Sequence, residues 1–336
     1  MGLRKHHFVA AALIVGLGCG AKNNGPSGPT PQPAAPAIAC PVDLTVREVA
    51  TSIQSITYTA PTITGGASPV TVNCSPASGS DFRLGTTPVA CSATDAQARA
   101  ATCSFNVTLT GFALGAVKFG AFGDSLTEGE TGRPNIVLPF LDVPNAYPTR
   151  LQAALEDAYP GQGIVVINRG RSLDSVETTE SKLRQFLPGD RPDAVLLLTG
   201  YNNLTGSCGP GRGGSGECED AIDRLADGLR ACLRRIPEAN AGVRFAFLSN
   251  LTPPGPAGSN RIDGRAITHI NDRIRQVAGA EGAVLVDAYA AFVGHETEFV
   301  NVDGLHLRPA GYQALADAFF AAIKSTIPRT PLLRGH

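Results

Sequence analysis

AVKFGAFGDSLTEGE (residues 116–130) carries an unbroken apolar run straight into Gly123-Asp124-Ser125. A small hydroxylated residue after a strand suits two roles. It can cap the next helix by accepting its first free N–H groups, or it can be a nucleophile presented at a strand end. What surrounds the stretch separates the two. Four more apolar runs follow: GIVVINRG (163–170), DAVLLLTG (193–200), VRFAFLSN (243–250) and AVLVDAY (283–289). They are continuous rather than alternating, as in strands covered on both faces. Between them, Ile222, Leu225, Leu229 and Leu233 recur at helical spacing, as do Ile267, Ile270, Ile274 and Val277. This alternation predicts an α/β fold, a parallel sheet with helices on both sides whose ligands bind at the carboxyl ends of the strands.

Those strand ends carry chemistry. The first ends in Gly123-Asp124-Ser125, the second in Asn168-Arg169-Gly170 and the third in Gly200-Tyr201-Asn202-Asn203. Asp303-Gly304-Leu305-His306 precedes Pro309, which is placed to start the last helix. Acyl transfer needs a nucleophile, a base, a group that orients the base, and donors aimed at the developing oxyanion. Ser125 supplies the hydroxyl. His306 is the candidate base, because an imidazole both accepts and returns a proton near neutral pH. Asp303 is close enough in sequence to bond its other ring nitrogen. The backbone N–H groups of Ser125 and Gly170 and the amide of Asn202 are the expected oxyanion donors, and a side chain at 170 is expected to obstruct substrate. Each residue alone has an ordinary structural explanation; their succession after consecutive strands is what points to a site.

GDSLTEG, the glycine of NRG, GYNN and DGLH follow, in order, the four blocks of the SGNH (GDSL) hydrolase family, which residues 116–327 resemble. The resemblance implies a flavodoxin-like three-layer domain over 115–328, with Ser125 as nucleophile, Gly170 and Asn202 as oxyanion donors, and Asp303 and His306 completing the triad. No cofactor or metal is implied. The chain departs from the family twice. Asn203 stands where the third block usually has an acid, and Leu173 where the second block usually has another glycine.

Residues 38–112 read differently. Short β-rich segments such as SITYTAPTIT, SPVTVNC, TPVACSAT and CSFNVTLT are separated by GG, PASGS and LGTT turns, the spacing of a small antiparallel sandwich. It contains no histidine and no ionisable cluster, so by chemistry it is a spacer or binding module. Its four cysteines allow three pairings. GGASPV, NCSPASGSDFRLGTTPVACSATDA and CSFNVTL resemble the hyalin-repeat (HYR) family, an immunoglobulin-like module. That resemblance implies Cys40–Cys103 and Cys74–Cys91.

The chain opens with Arg4 and Lys5 ahead of the apolar run Phe8–Leu17, too short to remain as a membrane helix and read as a secretory signal over 1–19. A Pro/Gly-rich linker (20–37) follows. Cys19, closing the apolar run, resembles the lipidated cysteine of bacterial lipoproteins; secretion with cleavage nearby is the alternative. Seven further cysteines predict disulfides in an oxidising compartment, and their spacing does not suit zinc. Cys208 and Cys218 are expected to close TGSCGPGRGGSGEC (205–218) as a flap, leaving Cys232 as a buried thiol. Tyr201 is expected to pack beneath its loop, with lining of the acyl pocket as the alternative, and His269 and His295 to have core or surface roles. With 28 Lys and Arg against 29 Asp and Glu, nothing suggests a nucleic-acid partner. The expectation is an exported serine esterase, bacterial and either outer-membrane lipoprotein, periplasmic or extracellular. Its substrates would be small-molecule or saccharide acyl esters, with a glycan or surface partner for the first domain and membrane contact only through a lipid anchor. The alternatives are an adhesion protein with an idle hydrolase domain, and an acyltransferase using the same triad.

Overall fold

The computed structural model describes residues 32–47, 49, 52–132, 140–255 and 262–331. The expected signal, Cys19 and most of the linker lie outside the described residues.

The N-terminal unit is all β. It comprises β1 (Ala37–Ala39), β2 (Leu44–Val46), β3 (Ile53–Ser55), β4 (Thr62–Thr64), β5 (Thr71–Ser75), β6 (Asp81–Arg83), β7 (Gly85–Thr94) and β8 (Ala100–Leu109). The β7–β8 hairpin is its spine, and a sheet of order β2-β8-β7-β5 is built on it, with pairs β1–β4 and β3–β6 beside it. Val89, Phe105, Val107 and Leu109 alternate inward along β7 and β8 and pack with Ile56 and Phe82, the period-2 pattern of a half-covered sheet. Cys40–Cys103 and Cys74–Cys91 are disulfides, the second joining residues directly opposite across β5 and β7. They are the pairs that the hyalin-repeat resemblance implied.

From β9 (Phe112–Leu114) the chain enters the α/β unit. β10 (Lys118–Gly123) leads into α1 (Ser125–Glu128), then α2 (Tyr147–Ala158), β11 (Val165–Asn168), α3 (Val176–Asp190), β12 (Ala194–Leu198) and α4 (Tyr201–Leu204). α5 (Gly216–Ala239), β13 (Phe245–Ser249), α6 (Gly264–Glu281), β14 (Val284–Val286), α7 (Ala288–Phe292), α8 (Glu296–Phe299), α9 (Pro309–Thr326) and β15 (Arg329–Pro331) complete it. The sheet has the order β11-β10-β12-β13-β14 and every pairing in it is parallel. α3, α5 and α6 pack side by side on one face, and α2, α7 and α9 cover the other. β12, Ala-Val-Leu-Leu-Leu, is buried throughout; each large side chain so covered contributes about 1.5–3 kcal/mol of burial. The expected apolar stripes are the buried faces of α5 and α6. Pairing of β9 with β15 ties the start of this unit to its end.

Strand order 2-1-3-4-5 is the flavodoxin-like arrangement, in which the chain leaves the first strand for a neighbour on one side and returns to the other. The crevice this creates lies beyond the carboxyl end of β10, where Ser125 begins α1.

Candidate active site

Three loops converge at that crevice. β10 delivers Ser125 as the first residue of α1, while Asp124 takes the capping position and accepts the Leu126 N–H at 3.1 Å. The loop before α9 delivers His306, whose Nε2 lies 3.0 Å from Ser125 Oγ. Asp303 turns back on the same loop, its Oδ1 accepting the N–H groups of Leu305 and His306 at 3.2 and 3.0 Å. Its Oδ2 is 2.5 Å from His306 Nδ1. An ionised carboxylate only accepts, so the proton sits on Nδ1 and Nε2 is left to accept from the serine. Burial disfavours the Asp303 charge, yet the hydrogen bond and charge of His306 and the two N–H groups hold its carboxyl below the usual range. Ser125 and His306 are 6% and 4% exposed, so the pair lies in a medium where charge interactions are strong.

Gly132 roofs the acid–imidazole bond. It has φ +50°, and a Cβ there would stand 2.1 Å from Asp303 Oδ2 and 2.7 Å from His306 Nδ1. Asn301 Nδ2 holds this segment down, donating to the carbonyls of Thr131 and of Gly132, the latter at 2.7 Å. Neither residue was singled out in the sequence. Only tertiary contact gives them meaning.

The oxyanion edge requires a correction. Gly170 donates its N–H to Asn168 Oδ1 at 2.9 Å, so it is not free to donate to substrate. Glycine is required there because a Cβ would strike Thr127 and Glu128 backbone atoms at 2.6 and 2.3 Å. It is the contact between the β11 loop and α1, not the approach of substrate, that excludes a side chain. Three residues on, Leu173 has φ +71° and its side chain is 85% exposed. That backbone is left-handed, the conformation glycine adopts without cost, so the loop keeps a glycine-like shape where the sequence lacks the glycine. Among the described residues no acceptor takes the Leu173 N–H, whereas its neighbour Ser172 donates to Glu128 at 2.5 Å. Asn202 donates one amide hydrogen to the Asp174 carbonyl at 2.8 Å, which sets the amide beside Leu173, and its second hydrogen has no acceptor among the described residues. The only sequence signal for Leu173 was the departure from the second block.

The other departure has a local account. Asn203 Oδ1 accepts the Val176 N–H at the start of α3 and its Nδ2 donates to Glu177 at 3.1 Å. An aspartate would face Glu177 as a like charge; the amide satisfies both. Tyr201 is buried, its hydroxyl 2.8 Å from Thr252 Oγ1, as expected of a residue packed beneath the loop. Asp124 is buried, and burial pushes its carboxyl up to about 7 against the N–H groups of Leu126 and Gly200 and the charge of His306.

Two glutamates, not anticipated, enter the same crevice. Glu130 Oε2 is 3.5 Å from His306 Nε2 and 2.6 Å from Ser172 Oγ, which also lies 2.8 Å from Glu128 Oε2. Cys208–Cys218 is a disulfide, but the segment it closes is pinned rather than a loose flap: the Asp263 N–H donates to the Cys208 carbonyl and Asp263 Oδ2 accepts the Gly211 N–H. Cys232 is buried and unpaired, its thiol pushed up to about 12 by burial. His269 and His295 pair with Glu219 and Glu298 on the surface, away from the triad.

A family model described as HYR domain matches residues 33–109. The spore germination lipase LipC of Bacillus licheniformis is 32% identical over 106 residues, 32% of this chain and 49% of that protein, so the chain spans about half the length of the curated relative it matches. Among solved structures, a lipase/acylhydrolase from Enterococcus faecalis is 20% identical with TM-score 0.49, over 63% of this chain and 97% of that one. Axe2, an acetylxylan esterase from Geobacillus stearothermophilus, is 22% identical with TM-score 0.48, over 62% and 95%. A model described as GDSL-like lipase/acylhydrolase matches residues 121–314, more than half of the chain, and the chain belongs to that family.

Proposed function

We propose that the chain is an exported serine ester hydrolase that acts through an acyl-enzyme. The observation that carries this reading is the buried chain Ser125 Oγ to His306 Nε2 (3.0 Å) and His306 Nδ1 to Asp303 Oδ2 (2.5 Å). Ser125 attacks the ester carbonyl while His306 takes its proton. Asp303 holds the imidazole in the accepting tautomer and offsets its positive charge. The tetrahedral oxyanion is met by the N–H groups of Ser125 and Leu173 and the free amide hydrogen of Asn202. His306 then gives its proton to the departing alcohol, and water repeats the sequence on the acyl-enzyme. Short-chain acyl groups and acetylated saccharides are the proposed substrates. The three disulfides among the described residues suit an oxidising compartment. Attachment through a lipidated Cys19, and a glycan or surface partner for the N-terminal unit, belong to the same reading.

The test is hydrolysis of p-nitrophenyl acetate and labelling by a fluorophosphonate probe. The parent protein should do both and Ser125→Ala neither. A Ser125→Ala protein that turns over at the parental rate overturns the assignment, and product analysis with added alcohol separates hydrolysis from acyl transfer.

A further inference from the structure

Resting on the reading of Ser125 and His306 just given, we infer that Glu130 is a specificity residue that selects esters whose leaving alcohol carries a neighbouring hydroxyl, as in a partly acylated sugar or other polyol. To collect a proton, the leaving oxygen must come within hydrogen-bond reach of His306 Nε2. Glu130 Oε2 stands 3.5 Å from that nitrogen, so whatever is bonded to the leaving oxygen lies against the Glu130 carboxylate. A carboxylate only accepts hydrogen bonds. The group it rewards there is therefore a donor, and on an uncharged alcohol that donor is a hydroxyl on an adjacent carbon. A second negative charge in the same place is penalised.

The carboxylate is both held and incompletely satisfied. Ser172 Oγ lies within hydrogen-bond distance of Glu130 Oε2 and of Glu128 Oε2, but a hydroxyl has one hydrogen and donates to one of them at a time. Glu128 Oε2 has a further donor in the Ser172 N–H. The Glu130 side chain has no second donor among the described residues and keeps 16% of its surface exposed, which leaves acceptor capacity facing the crevice. Its main chain is committed separately. The Glu130 N–H donates to the Ser125 carbonyl, the Tyr312 hydroxyl donates to the Glu130 carbonyl at 2.6 Å, and the residue bridges to Leu141. Truncating the side chain leaves those bonds in place.

The experiment compares the full chain with Glu130→Ala and Glu130→Gln on three acetyl esters: a monoacetylated methyl glycoside with free neighbouring hydroxyls, p-nitrophenyl acetate, and acetylated lactate, whose alcohol carries a carboxylate. Hydrogen bonds to charged groups are among the stronger ones, so the ratio of kcat/KM for the glycoside to that for p-nitrophenyl acetate should fall about 10–100-fold in Glu130→Ala, with Glu130→Gln in between. The same ratio for acetylated lactate should rise. A residue that only positions His306 would lower all three substrates together, and ratios that do not move overturn the inference. Unmoved ratios in the variants of a protein that hydrolyses p-nitrophenyl acetate through Ser125 leave the hydrolase reading standing. Absence of Ser125-dependent turnover on any of the three refutes both.

Discussion

Replacing Asp303 by asparagine isolates one bond of the triad. Oδ1 of residue 303 accepts two backbone N–H groups that shape the loop, and Oδ2 alone meets His306 Nδ1. Asparagine keeps an oxygen for the first task and offers an NH2 group for the second. The loop is expected to stay folded, while the amide, now a donor, requires Nδ1 to accept. The imidazole proton then moves to Nε2, and the nitrogen facing Ser125 no longer takes the serine proton. Loss of the carboxylate charge beside a developing imidazolium is alone worth about 4 kcal/mol at an effective dielectric constant near 20, or roughly 10³ in rate. With the inverted tautomer, the fall in kcat should approach the 10⁴ or so typical of such a change in a Ser-His-Asp triad. The assay is steady-state hydrolysis of p-nitrophenyl acetate, with circular dichroism and a melting curve to establish that the protein is folded. KM should change little, since the loss belongs to the transition state. A folded Asp303→Asn protein that keeps kcat within tenfold of the parent refutes the assigned role.

Gly132→Ala places a methyl group against Asp303 Oδ2 and His306 Nδ1 at a left-handed backbone position; the strain is about 1–2 kcal/mol, and the loss in kcat, expressed as a free energy, should exceed the loss of stability in urea, a pattern that equal losses would contradict. Burial raises the Asp124 carboxyl from 3.8 to about 7, so between those values the folded chain binds a proton that the unfolded chain does not, and stability falls as pH rises through this window. The uncharged Asp124→Asn protein escapes this loss. Its advantage over the parent in urea denaturation should be near zero at pH 4 and grow to the order of 4 kcal/mol above pH 7; a pH-independent difference would contradict the burial argument.

Much of the architecture was legible because it rests on periodicity. The runs at 116–123, 163–170, 193–200, 243–250 and 283–289 carry the five parallel strands; β12, covered on both faces, has no polar side to interrupt it, while the edge strand β11 leaves Val165 exposed. The serine, acid and histidine that the structure brings together were candidates in the sequence because acyl transfer restricts residue type. Gly170 was misread because its letter reports only the absence of a side chain, not which neighbour demands it; the α1 backbone does. Leu173 was legible only as a departure, since a backbone donor has no residue identity to betray it. Glu128, Glu130 and Asn301 carried no signal, because charged and amide side chains near a loop are common and these differ only in what lies opposite.

The sequence by itself determined the class of fold, its five parallel strands and the residue types able to carry acyl transfer. All of these follow from side-chain polarity and spacing along one dimension. Only the tertiary structure decided which groups meet. Ser125 and His306 are separated by 181 positions, and whether an oxygen stands 3.0 or 8 Å from a nitrogen depends on strand order and loop path, to which local composition is indifferent. The same holds for the carboxylate of Glu130. Its place beside Nε2 is a property of three loops closing on one crevice, not of any one of them.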